Sequence, residues 1–151
     1  MAQSMAGQLA DFDATALIYL RDGGQAPGQT LARELGLPAS GLDIRYPLSR
    51  VLDKAPGWLR PTLLVVKELT YRMTAPKPAP SDEEPLPPSG TRVILFDDSA
   101  STGRTIRTAL KILATQGIPR ECVCVTVLRC GSRARPLVDH FAMSRRVSFV
   151  R

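Results

Sequence analysis

Hydrophobic and polar positions divide this chain into short apolar runs and amphipathic stretches, set apart by clusters of glycine, proline and small polar residues. After a loose or helical lead-in over residues 1–13, the run Ala14–Leu20, with its β-formers Thr15, Ile18 and Tyr19, predicts a first strand. Arg21-Asp22-Gly23-Gly24 stops it, and Pro27–Gly36 (PGQTLARELG) predicts a helix closed by its glycine. Leu42–Tyr46 (LDIRY) predicts a second strand, ended by Pro47, and Ser49–Ala55 suits a short helix. In Leu63–Met73, Val65 and Val66 favour a strand. The apolar positions Leu63, Val66, Leu69, Tyr71 and Met73 can instead ride a helix begun at Pro61, the reading adopted here.

The second half has a sharper pattern. Val93–Asp98 (VILFDD) reads as a buried strand, and Arg104–Thr115 (RTIRTALKILAT) sets Ile106, Leu110 and Leu113 on one side at helical spacing. Glu121–Leu128 (ECVCVTVL) predicts a second buried strand, and Phe141 and Val147–Val150 suggest short final ones. Between the halves, residues 74–90 carry six prolines and an acidic cluster, Asp82–Glu84, which predicts an extended stretch without regular structure. That stretch is either a spacer or a mobile lid.

At 151 residues the chain is long enough for one domain, taken as 1–151, with a sizeable core. A hydrophobic fraction of 44% with 23% charged residues is that of a globular protein, and no apolar run reaches the length of a membrane span. A basic start followed by a long apolar core is absent from the N-terminus, so a cytoplasmic location and no membrane partner are expected. The three cysteines, Cys122, Cys124 and Cys130, are an odd number, which argues against a disulfide framework. Alternation in the predicted strand would turn Cys122 and Cys124 to one face as small buried hydrophobes.

A net charge of +6 and a pI near 9.7 suit a binder of polyanions, either nucleic acid or a ligand carrying a phosphate and a pyrophosphate. The basic residues are scattered, apart from Arg129–Arg135 and Arg145–Arg146, and aromatic residues that could stack on bases make up only 5% of the chain. Nucleic acid is therefore not the expected partner.

Candidate chemistry gathers at Val93–Thr105 (VILFDDSASTGRT). The strand would deliver Asp97 and Asp98 to the carboxyl edge of a sheet, where open α/β folds place their ligands. The loop then runs into a helix N-terminus, whose backbone N–H groups and dipole favour an anion. Gly103 lets the backbone approach closely, and Ser101, Thr102 and Thr105 can donate hydroxyl hydrogen bonds to a phosphate. Two carboxylates beside a phosphate site suit a sugar diol or a divalent metal bridging ligand and protein. Together these groups suggest a ribose 5-phosphate.

This stretch resembles the thirteen-residue signature of the type I phosphoribosyltransferases, closely at Val93–Asp98 and Thr102–Thr105. YLRDGGQAPGQTLARELGLP also resembles the pyrophosphate loop and following helix of the bacterial xanthine and guanine phosphoribosyltransferases, and RPLVDHF resembles a later segment of the 6-oxopurine enzymes. The resemblance implies an α/β fold with a central parallel sheet of about five strands flanked by helices, and a small C-terminal hood. It implies a phosphoribosyltransferase moving ribose 5-phosphate from phosphoribosyl pyrophosphate (PRPP) to a nitrogenous base, a purine in the reading adopted, with Mg²⁺ and in a homodimer.

By the same resemblance, Asp97 and Asp98 would hold the ribose hydroxyls and the metal and offset charge developing on the sugar. Ser101, Thr102, Gly103, Arg104 and Thr105 would anchor the 5-phosphate, while Arg21, Asp22, Gly23 and Gly24 would bind pyrophosphate. Residues 74–90 would form the mobile loop, with Lys77, alone or joined by Arg72, as the cation for the leaving group, and Phe149 would stack on the base. Two positions depart from the family pattern. Asp22 stands where a basic residue commonly precedes the paired glycines, so the loop is re-registered around Arg21 or binds pyrophosphate more weakly. Ser101 stands where many 6-oxopurine enzymes carry a proton-exchanging aspartate, so the base is of another kind or its proton goes elsewhere. The alternatives are a non-catalytic PRPP- or nucleotide-binding module and an RNA-binding regulator of the same fold, TGRTIRTAL resembling the pyrimidine-operon attenuator.

Overall fold

The computed structural model describes residues 7, 9–45, 56, 77, 78 and 85–144. Its centre is a five-stranded sheet of β1 (Ala16–Leu20), β2 (Ala39–Leu42), β5 (Val93–Ala100), β6 (Val123–Cys130) and β7 (His140–Ser144), in the order β2-β1-β5-β6-β7. Every neighbouring pair is parallel. Two helices stand out among the described residues, α1 (Arg21–Leu35) after β1 and α2 (Arg104–Thr115) after β5. The expected fold class, a parallel sheet of about five strands with flanking helices, is the one observed.

The central strands are buried because both faces of a parallel sheet are covered. Alternation along β1 and β5 sends Leu17, Tyr19, Ile94 and Phe96 to one layer with Leu31 and Ala32 of α1. Ala16, Ile18, Leu20, Val93 and Leu95 go to the other, with Ile106, Ala109 and Leu113 of α2. Leu17, Ile18, Val93, Ala109, Leu113, Val125 and Val127 are fully sealed from water, which explains why these strands read as nearly continuous apolar runs.

Several boundaries differ from expectation. The helix after β1 begins at Arg21 rather than Pro27, so the paired glycines lie in its first turn instead of a free loop. That turn is irregular: Gly23 has φ +92°. Pro27, four residues on, has no N–H for the Gly23 carbonyl, and in a regular helix its ring would press on that carbonyl. Only from Pro27 onward does the sequence carry ordinary helical periodicity. The far end is as expected: Gly36, at φ +66°, closes α1 while the amide of Leu37 bonds the carbonyl of Ala32.

The second sheet strand is Ala39–Leu42, not Leu42–Tyr46. Its composition, ASGL, has little β propensity, but register with β1 from Leu17↔Ala39 to Leu20↔Leu42 imposes the extended form. Ile44–Arg45 (β3) leaves the sheet and pairs antiparallel with Lys77–Pro78 (β4), so the proline-rich stretch is not wholly without regular structure. Strand β5 runs two residues past Asp98, because Ser99 and Ala100 pair with Arg129 and Cys130. A 3-10 turn at Arg120–Cys122 takes Cys122 out of β6 and breaks the expected alternation. Cys122 thus packs half-buried against one layer and Cys124 is buried in the other. The expected elements at Ser49–Ala55, Leu63–Met73 and Val147–Val150 lie outside the described residues, as do Arg72 and Phe149.

Candidate functional site

Between β1 and β5 the strand order reverses direction: the chain moves from β1 outward to β2, then returns to add β5, β6 and β7 on the other side. A crevice opens at the carboxyl ends of the strands flanking such a point, and open α/β sheets bind ligands there. Here it is flanked by the first turn of α1, following β1, and by Asp97 and Asp98 near the end of β5. The two segments singled out in the sequence, 70 or more residues apart, therefore meet.

Their contact is intimate. A Cβ at Gly23 would lie 2.7 Å from Oδ1 and 2.8 Å from Oδ2 of Asp98, so the glycine backbone rests on that carboxylate. At Gly24 it would lie 3.5 Å from the Cα of Asp97. Arg21 is half-buried with its Nε away from water, and Asp22 occupies the next helical position. Asp43, a residue the sequence reading did not single out, is buried just past the end of β2, beyond the Leu20↔Leu42 pair.

On the other side of β5, a pocket of about 120 Å³ is lined by Asp97, Ser99, Ala100, Ser101, Thr102, Gly103, Arg104, Thr105 and Ile106. This exceeds the roughly 30 Å³ that one water occupies in the liquid. All five residues expected to grip a phosphate are in its wall. Gly103 caps α2 at φ +72°, a left-handed conformation that glycine adopts without strain, and its carbonyl accepts from the Arg107 amide at 2.9 Å. Ser99 and Ala100 also line the pocket and were missed, because the sequence signal for the strand fades at the two aspartates.

The segment after β6 backs this loop. The Gly131 amide bonds the Ala100 carbonyl at 2.7 Å, and a Cβ at Gly131 would come within 2.8 Å of the Ser101 carbonyl oxygen. Ala134 and Leu137 lie against Gly103. Further on, Asp139 fastens the segment to β6: its carboxylate accepts the Val125 amide at 2.7 Å and both contacts from Arg120 at 2.9 Å, while its own amide bonds the Val125 carbonyl.

Burial pushes the Asp97 carboxyl up to about 8, with the adjoining Asp98 carboxyl adding to the rise through its hydrogen bond and its charge. The backbone amides of Asp98 and Ser99 pull in the opposite direction, Asp98 N–H at 2.9 Å from Asp97 Oδ1. Among the described residues no three His, Cys, Asp or Glu side chains cluster as a self-sufficient metal cage. The Asp97–Asp98 pair fits Mg²⁺ as part of a shell, since this ion is commonly held by one or two carboxylates with substrate phosphates and water. A cation there would also relieve the repulsion that raises Asp97. Lys77 lies on β4, and its side chain, like that of Asp22, is outside the described atoms.

No family model matches this sequence, and no curated protein is significantly similar to it. Solved structures do match in fold, phosphoribosyltransferases among them. The xanthine-guanine-hypoxanthine phosphoribosyltransferase of Helicobacter pylori covers 97% of this chain and 81% of its own, with a TM-score of 0.67 at 16% identity. A purine phosphoribosyltransferase from Pyrococcus horikoshii covers 95% and 80%, with a TM-score of 0.65 at 18% identity. The APRTase of Giardia lamblia, solved with 9-deazaadenine, covers 96% and 77%, with a TM-score of 0.64 at 15% identity. This chain has the type I phosphoribosyltransferase fold. No described helix is long and apolar enough to cross a membrane.

Proposed function

We propose that this protein is a phosphoribosyltransferase, transferring ribose 5-phosphate from PRPP to a ring nitrogen of a nucleobase, a purine, with release of pyrophosphate. One observation carries the reading. The pocket of Ser101–Thr105 at the head of α2 and the Gly23–Gly24 turn at the head of α1 stand on either side of the Asp97–Asp98 pair, at the switch point of the sheet.

In this reading the pocket holds the 5-phosphate through hydroxyls, backbone amides and Arg104. Binding that remote group positions the sugar, so the anomeric carbon is presented to the base without further loss of rotational freedom. Asp97 and Asp98 accept hydrogen bonds from the ribose hydroxyls, and their charge, that of Asp97 restored when a bound cation relieves the repulsion that helps raise it, offsets the positive character that develops on the ribosyl group as the bond to pyrophosphate lengthens. Arg21 and the glycine turn hold the departing pyrophosphate. Mg²⁺, when bound by Asp97 and Asp98 with the ligand's oxygens, neutralises pyrophosphate charge. Residues 74–90, with Lys77, close over the site, Phe149 stacks on the base, and the protein works as a cytoplasmic homodimer.

Calorimetric titration of PRPP with Mg²⁺ into the wild type and an Asp97→Asn/Asp98→Asn variant tests this, followed by assay of a base panel for released pyrophosphate. Binding that the variant loses, with pyrophosphate released for one base, is the expected result. Absence of binding to the folded wild type overturns the reading.

A further inference from the structure

The distribution of charge around the pocket points beyond the residues that line it. Of the 20 Lys and Arg residues, six fall in two segments, 104–115 and 129–136, neither of which contains Asp or Glu. These six equal the net charge of +6, so the rest of the chain is balanced between the two signs. The fold joins the two segments at the pocket: Gly103, at the head of α2, lies against Ala134 and Leu137, and Arg129 on β6 is in register with the pocket residue Ser99.

The positions of the charges are equally particular. Along α2, Ile106, Ala109 and Leu113 are buried against the sheet. At about 100° per residue, Arg104, Arg107 and Lys111 fall within an arc of roughly 60° on the opposite side. Arg107 and Lys111 are exposed and Arg104, nearest the pocket, is half-buried. They make a stripe rising about 10 Å along the helix from the pocket mouth. Arg129, Arg133 and Arg135 are exposed, on the segment whose Ala134 lies against Gly103 and whose Arg129 is in register with Ser99. Arg135 is braced over the Phe141 ring at 4.7 Å.

We infer that the exposed cations Arg107, Lys111 and Arg133 form an electrostatic collector that draws a small, multiply charged phosphate ester into the Ser101–Thr105 pocket. The inference rests on the transferase reading for the identity of that ester, PRPP, which carries both a phosphate and a pyrophosphate. Cations ringing a cleft raise the local concentration of an anionic ligand and its association rate, roughly 10- to 1,000-fold at low ionic strength. The charge is spent on the approach of the ligand rather than on contact with it. A single-stranded nucleic acid is a poorer fit to the same surface, because it needs aromatic platforms for its bases. α2 carries no aromatic residue, and the ring of Phe141 is covered by Arg135.

Stopped-flow association of PRPP with Mg²⁺, over ionic strengths from about 0.01 to 0.3 M, spans Debye lengths from about 30 Å to less than 8 Å and tests the collector. The triple variant Arg107→Gln/Lys111→Gln/Arg133→Gln is expected to associate about tenfold more slowly at the lowest ionic strength. It should match the wild type at the highest, with dissociation rate and kcat unchanged. The charge-preserving variant Arg107→Lys/Lys111→Arg/Arg133→Lys is expected to keep the wild-type rate. Equal association rates for the neutralised variant and the wild type at low salt, or an effect confined to dissociation, overturn the collector while leaving PRPP binding in place. Failure of the folded wild type to bind PRPP at any salt removes the transferase reading itself. If a single-stranded RNA binds, is lost in the neutralised variant and is not displaced by PRPP, the surface belongs to nucleic acid and the collector is wrong.

Discussion

Gly23 rests directly on the carboxylate of Asp98, close enough that a Cβ would sit 2.7 Å from Oδ1. Its φ of +92° is one that other residues adopt only under strain. Gly23→Ala must therefore push back the Asp98 carboxylate or flatten the first turn of α1, and both groups belong to the proposed site. The expected outcome is at least a tenfold loss in PRPP affinity with a destabilisation of about 1–3 kcal/mol. Gly28→Ala provides the contrast. A Cβ there meets the Cβ of Tyr19 at 2.6 Å and a ring carbon of Phe96 at 3.1 Å, inside the core rather than at the site. It should destabilise by a similar 1–3 kcal/mol, through overpacking, with PRPP affinity of the folded fraction nearly unchanged. Calorimetric titration beside urea unfolding separates the two.

Asp97 makes stability depend on pH in a definite direction. Its carboxyl is raised from 3.8 to about 8 in the folded chain, first by burial and then by Asp98. Between those values the folded state holds a proton that the unfolded state has lost, so stability falls as pH rises through this window. Urea unfolding in EDTA across pH 4 to 8 should show that decline, and Asp97→Asn should flatten it. A slope that survives the substitution would assign the effect to another group.

Asp139 ties the segment behind the Ser101–Thr105 loop to the start of β6. Its ion pair with Arg120 joins partners that are 39% and 45% exposed, and such a pair contributes at most about 1 kcal/mol. The bond that its carboxylate accepts from the Val125 amide is part-buried, and losing it leaves a polar group without a partner. Asp139→Ala should thus cost about 1–3 kcal/mol, as read from urea midpoints.

The cysteines should react in sequence. Burial raises the thiols of Cys124 and Cys130, lowering the thiolate fraction that attacks disulfide reagents. Cys122 is only half-buried, in the turn before β6. With a chromogenic disulfide reagent the native protein should release one fast equivalent, abolished by Cys122→Ser, and two more only on unfolding.

Stability of the core follows the same logic as its pattern. Leu113 of α2 is fully buried among residues of β1, β5 and β6. Leu113→Ala should cost about 2–5 kcal/mol, whereas Arg107→Ala on the outer face should stay within about 0.5 kcal/mol, a difference that thermal unfolding will register.

How far these features could be read in advance depended on whether their cause was local. The strand at Val93, the helix Arg104–Thr115 and the glycine closing α1 were legible, because burial on two faces, a 3.6-residue period and a left-handed cap each write themselves into adjacent residues. Ala39–Leu42 was not, since an ASGL segment becomes a strand only when β1 offers its edge. Cys122 was misplaced for a related reason: the 3-10 turn that removes it from β6 precedes a strand whose start depends on pairing with Val93. Ser99 was lost to the site because two aspartates look like the end of a strand in sequence, while ladder bonds to Arg129 carry the strand past them.

By itself the sequence determined the chemistry available: a hydroxyl-rich turn at a helix head, two carboxylates before it and paired glycines more than 70 residues upstream. Their identities and spacings are properties of neighbouring residues, and neighbouring residues suffice to show them. Tertiary structure decided that Gly23 lies on Asp98, that burial raises Asp97, and that Ala134 and Leu137 of the basic segment after β6 lie against Gly103 at the head of α2. Those are distances between residues far apart in the chain, and only the packing of the sheet and its helices sets them.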